Sequence, residues 1–132
     1  MTDAPNPPRT RAVVSAFLTD VLLVVLFAVI GRASHGEDLS PGGVAVTAWP
    51  FLAGLAAGWL IVLAWRAPLA PVRTGLGTWA VTLAGGMLLR AVSGQGVAIA
   101  FVVVAAVVLL AFLVGWRTIV VLVRRGRTRA SH

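Results

Sequence analysis

Four apolar runs, separated by short polar or turn-forming segments, account for most of this chain. The first, Ala12 to Gly31, is preceded by Arg9 and Arg11, followed by Arg32, and carries one carboxylate, Asp20. As a helix its roughly 20 residues rise about 30 Å, the thickness of a bilayer's hydrocarbon. It holds 13 Val, Leu, Ile and Phe residues. These favour insertion by about 4 to 8 kcal/mol, against a cost of about 2.5 to 3.5 for a central Asp. The run therefore inserts despite Asp20, and an acid placed there is a functional candidate.

The second run covers about 44–65. Ser40-Pro41 reads as an N-cap followed by proline at the first helical position, so a helix begins there. Pro50 lies inside the run and cannot donate to the carbonyl of Val46, which predicts a kink at Trp49-Pro50. Gly54 and Gly58 form a GxxxG pair that lets another helix approach closely. The prolines of Arg66–Arg73 (RAPLAPVR) stop this helix before the next. The third run, about 75–92, is the least apolar, with four glycines and Arg90 inside it. Its insertion energy is near break-even, so it should be surrounded by protein. Gly75, Trp79, Thr82, Gly86 and Arg90 fall on one helical face, suited to packing. After Ser93-Gly94-Gln95-Gly96, a tight turn, the fourth run covers about 97–123 and is almost pure Val, Ala, Leu and Phe as far as Val114.

The pattern predicts an all-α, polytopic membrane protein: a four-helix transmembrane bundle over 9–123, with a disordered tail at 1–8 and a basic cytoplasmic tail at 124–132. Composition agrees. Of 132 residues 59% are hydrophobic and only 11% charged, with mean hydropathy +0.97, which leaves too little charged surface for a soluble domain. The net charge of +7 would suit nucleic acid, but the arginines sit at the ends of apolar runs and not on one folded face. No nucleic-acid partner is expected; the lipid bilayer is. The first run is longer than a signal peptide's apolar core and three more follow, so it reads as a retained span.

Orientation follows from arginine alone, since the chain has no Lys. The N-terminal segment, the 66–73 connection and the C-terminal tail hold Arg9, Arg11, Arg66, Arg73, Arg124, Arg125, Arg127 and Arg129, against Arg32 and Arg90 on the other side. That bias puts both termini in the cytoplasm and the protein in the plasma membrane. Trp65, Trp79 and Trp116 then fall at the inner interface, as an aromatic belt would.

Candidate chemistry is sparse. With no Cys, disulfides and thiolate metal sites are excluded. At the helical rise, Asp20 lies about 13 Å deep from Arg11, and Arg117 about 10 Å deep from Arg124. The two would pair if spans one and four are neighbours. The alternatives are a protonated Asp20 bonded to a Thr, with Arg117 reaching the surface, or a proton or transport role. On the other side Arg32, His35, Glu37 and Asp38 form a polar loop, and Arg90 with Glu37 or Asp38 would clamp it onto the bundle. His35 beside two carboxylates is a candidate metal ligand or pH sensor, with a plain hydrated loop as the alternative. No phosphate loop, Ser-His-Asp set or metalloprotease helix is present, so neither enzymatic activity nor a cofactor or bound metal is expected.

The strings GRASHGED, TAWPFLAGLAAGW, GTWAVTLAGGMLLR and LVGWR resemble the actinobacterial four-span membrane proteins grouped as Domain of Unknown Function 3054, from Asp20 to Arg117. The resemblance implies the architecture and no activity. It also implies that Asp20, Arg32, His35, Trp49, Pro50, Trp59, Trp79, Arg90 and Arg117 matter. Three functions are weighed, the first being the leading expectation, the second its alternative and the third the least favoured. The first is a small oligomeric transporter or channel. The chain resembles small multidrug exporters in its four spans and its acid in span one. It departs from them in having Asp where they have Glu, and in an arginine bias that opposes their opposed-orientation dimers. The second is a non-catalytic accessory subunit of a membrane complex, working with a homo-oligomer or other partner. The third is an intramembrane enzyme or metal site on His35, Glu37 and Asp38.

Overall fold

The computed structural model describes residues 7–130. Four helices carry the chain: α1 (Pro7–Ser34), α2 (Pro41–Ile61), α3 (Gly77–Val92) and α4 (Ile99–Ala130). A 3₁₀ turn (Ala64–Arg66) and a π-helical turn (Pro71–Leu76) lie between α2 and α3. Among the described residues all four spans are long and apolar enough to cross a membrane. The segment expected to be disordered, 1–8, lies outside the described residues except for Pro7 and Pro8, with which α1 opens.

The α1 and α4 helices outrun their apolar stretches. At 28 and 32 residues they rise about 42 and 48 Å, more than the hydrocarbon needs. The basic segment from Arg124 onward continues α4 as helix to Ala130. Nothing stops it: the segment has no proline, and Gly126 costs only about 1 kcal/mol. α2 begins as its cap predicts, with the Ser40 hydroxyl accepting from the Gly43 N–H.

α1 packs on α2 and α4, and α3 packs on the same two helices from the other side, with the closest contact between α2 and α3. Phe27, Phe51, Leu55, Leu109 and Leu113 fill the centre. α4 buries one row at four-residue spacing, Ala105, Leu109, Leu113 and Arg117. Val103, Val104, Val107, Ile119 and Leu122 are left exposed, as a helix facing acyl chains requires.

The α2–α3 contact explains the glycines. A Cβ on Gly54 would stand 2.8 Å from the Thr82 carbonyl oxygen, and one on Gly58 3.3 Å from that of Thr78. Gly86 leaves room for the Phe51 ring. The Thr78 and Thr82 hydroxyls are buried without a hydrogen-bond partner, so close packing holds this face. Of the face expected to pack, Gly75, Thr82 and Gly86 are buried and Trp79 and Arg90 partly so, and Thr74 and Thr78 are buried beside them. Gly75 lies against Val114 of α4, and the Trp79 indole donates to the Ala106 carbonyl at 2.9 Å.

Pro50 sits fully buried in a continuous α2, with Trp49 exposed beside it. The Val46 carbonyl that Pro50 cannot serve accepts instead from the Gln95 side-chain amide at 3.2 Å. The α3–α4 turn thus supplies the donor that the proline removes.

Candidate functional site

Two polar centres lie at opposite ends of the bundle. The first is nearer the end at which α1 begins and α4 finishes, and its groups come from three helices. Asp20 is on α1, Trp59 on α2, and Trp116 and Arg117 on α4. Asp20 and Arg117 are both completely buried, with Arg117 Nη2 2.7 Å from Asp20 Oδ2 and Nη1 2.9 Å from Oδ1. This bidentate geometry is the strong form of the contact. The Trp59 and Trp116 indole N–H groups each donate to the same carboxylate at 2.9 Å, one to each oxygen. The carboxylate therefore accepts four N–H donors, two on each oxygen.

Arg117 is equally engaged. Its Nε donates to the Pro68 carbonyl at 2.8 Å, and Nη1 also donates to the Leu113 carbonyl at 2.9 Å. Its guanidinium carbon lies 4.7 Å from the Trp116 ring centroid. The Pro68 carbonyl is free to accept because the proline-interrupted connection leaves it outside any helix. A buried ion pair repays its desolvation only with this kind of geometry and satisfaction. The structure therefore unites Asp20 with Arg117 and adds two tryptophans. Trp79 and Trp116, expected in an interfacial belt, spend their N–H groups inside the bundle. Trp65 is exposed.

The second centre is at the other end, where the α1–α2 loop and the α3–α4 turn meet. There Arg32, not Arg90, clamps the loop. Arg32 donates to the Asp38 carbonyl, the Asp38 carboxylate (2.7 Å) and Thr47 Oγ1, and pairs with Glu37 at 3.1 Å. Arg32 wins because it lies in the last turn of α1, six residues from Asp38. Closing so short a loop costs little entropy, and the helix C-terminus favours a cation. Arg90 bonds instead within its own turn, to Gln95 Oε1 (3.1 Å), the Gln95 carbonyl and the Gly96 carbonyl. Its guanidinium carbon stands 4.2 Å from the Phe101 ring centroid.

Asp38 is exposed, yet the Ser40 hydroxyl, the Ser40 N–H and Arg32 hold its carboxyl below the ordinary 3.8. A lowered folded value means that the clamp's contribution is complete above 3.8. It is lost as the pH falls through that lower value. Carboxyl NMR titration should therefore place the Asp38 midpoint below 3.8. Ser40→Ala, which removes the hydroxyl bond that is the largest cause, and Arg32→Gln should each raise it. A midpoint at or above 3.8 would contradict the clamp.

Arg32, His35, Glu37, Thr47, Arg90 and Gln95 line a cavity of about 420 Å³ at this end, which reaches down to Phe27 and Phe101. His35, Glu37 and Asp38 do not converge: among the described residues no three His, Asp or Glu side chains form a group that would hold a metal ion.

Sequence reasoning named Trp59 through the resemblance without a role for its N–H, and missed Trp116 as a donor to Asp20 and Gln95 altogether. The available signals were the adjacency of Trp116 to Arg117 and the orphaned carbonyl that Pro50 implies. Comparison with curated proteins and with solved structures finds no match. The family described as Protein of unknown function (DUF3054) matches residues 17–120, a stretch that begins just before Asp20 and ends just after Arg117. On that match, which covers most of the chain and both polar centres, this four-span protein belongs to the DUF3054 family.

Proposed function

We propose that this protein is a non-catalytic accessory subunit of a membrane complex, in the plasma membrane with both termini cytoplasmic. The observation that carries the reading is the engagement of Asp20, the one acid among the four apolar runs. A carboxylate that relays protons must exchange them with water and tolerate both charge states. This one is sealed from solvent and bonded on both oxygens by a guanidinium and two indoles. Its geometry suits a lock that fixes α1, α2 and α4 against one another. The arginine distribution supports the orientation, and the exposed apolar faces of α1 and α4 suit lipid or a partner's helices.

A second reading, a small transporter or channel, is favoured by the cavity that enters the bundle beside Arg90. One preparation tests both. Protein captured in mild detergent should bring down a stoichiometric partner. Reconstituted alone into liposomes, it should dissipate a proton gradient no faster than empty vesicles. Capture of only a homogeneous homo-oligomer, or a proton flux that a folded Asp20→Asn variant abolishes, would overturn the accessory reading.

A further inference from the structure

We infer that the cavity beside Arg90 is a binding site for a small amphiphilic anion, with one carboxylate or phosphate head and a short apolar body. The site is separate from the Asp20 lock, and its occupancy is compatible with either proposed function. At about 420 Å³ the cavity is of ligand size, and all four helices contribute to its wall. Its wall combines apolar side chains, the buried Phe27 and the part-buried Phe101 among them, with the polar Arg32, Glu37, Arg90 and Gln95.

Arg90 gives the site its sign. It is half-buried, and among the described residues no carboxylate lies within ion-pair distance of it. Its three acceptors are neutral oxygens of Gln95 and Gly96, which use three of its five N–H groups. Gln95 is itself fixed by donating to the Val46 carbonyl, so the guanidinium is held in place before any ligand arrives. Stacking over Phe101 fixes its plane. The other cation on the wall, Arg32, is occupied by Glu37 and Asp38. Glu37 is the anion that opposes a negative ligand, and it is half exposed and turned to Arg32. A bound carboxylate or phosphate would take the remaining N–H groups of Arg90 as charge-assisted hydrogen bonds.

The test is calorimetric titration of the purified chain in a neutral maltoside detergent. The probes are hexanoate in one arm and dihexanoyl phosphatidic acid in the other, with hexylamine and dihexanoyl phosphatidylcholine as controls. Saturable binding of hexanoate, of the phosphatidic acid, or of both is expected, and whichever binds identifies a free solute or a lipid headgroup as the source. Arg90→Gln should weaken binding about tenfold or more. Glu37→Gln should strengthen it about two- to fivefold by removing a like charge across water. If Arg90→Gln fails to fold, Gly31→Leu decides. Gly31 lines the cavity, and a Cβ there meets nothing within 4 Å, so the new side chain blocks the site without touching Arg90. Binding of neither anion overturns the proposal, as does equal binding of hexylamine. So does affinity that neither Arg90→Gln nor Gly31→Leu changes.

Discussion

Arg117→Met is expected to cost about 3 to 5 kcal/mol of stability, the usual penalty for removing one partner of a buried ion pair. The cost arises from what remains. Asp20, with no exposed surface, would keep two indole donors but lose both bonds to the guanidinium and its compensating charge. The double variant Asp20→Leu/Arg117→Met should recover much of that loss, since apolar residues of similar volume often replace a buried pair without penalty. Recovery should nevertheless be incomplete. The Trp59 and Trp116 N–H groups and the Pro68 and Leu113 carbonyls all bond to this pair. Those without another partner each cost on the order of 1 kcal/mol when orphaned. Equilibrium unfolding in mixed micelles with increasing dodecyl sulfate reads all three proteins. A double variant no more stable than Arg117→Met would show that the two charges are not coupled.

That coupling was legible from sequence only as a matter of depth. Counting residues inward from Arg11 and from Arg124 brings Asp20 and Arg117 to within a few ångströms in height, but height does not say which helices are neighbours. The same limit governs the other end. Arg90 has the right height to meet Glu37 and Asp38, yet Arg32 is nearer along the chain and reaches both first. The spans themselves were plain, because apolar length against bilayer thickness is a one-dimensional measurement. The row of α3 that would face α2 was not. Thr78, Thr82 and Gly86 lie against α2 while Gly75 and Trp79 lie against α4, and small-residue composition does not say which neighbour each position meets. Trp116 illustrates a further loss. As an amphipathic residue near a membrane surface it suits an interfacial belt, and only its position beside Arg117 hints that its N–H would turn inward to Asp20.

The second large effect is a change of sign among glycines that look alike in the sequence. Gly54→Ala is expected to destabilise the bundle by about 1 to 3 kcal/mol, the range for overpacking a tight contact. Its Cβ would stand 2.8 Å from the Thr82 carbonyl oxygen and 3.2 Å from the Thr82 Cα, both backbone atoms that no rotamer change can move. The α2 and α3 axes would have to separate, and the van der Waals contact that holds small-residue interfaces together in lipid would be lost along the whole face. Gly58→Ala should cost less, because its nearest neighbours lie at 3.3 Å and one of them is the Val81 side chain. Gly115→Ala, in the middle of α4, meets nothing within 4 Å. There the same methyl group only removes backbone freedom from the unfolded chain, so a gain of about 0.5 to 1 kcal/mol is expected. The three variants, unfolded side by side in the same micelles, should rank Gly115→Ala above the parent, then Gly58→Ala, then Gly54→Ala. A Gly54→Ala variant as stable as the parent would mean that α2 and α3 do not approach as closely as their backbones indicate.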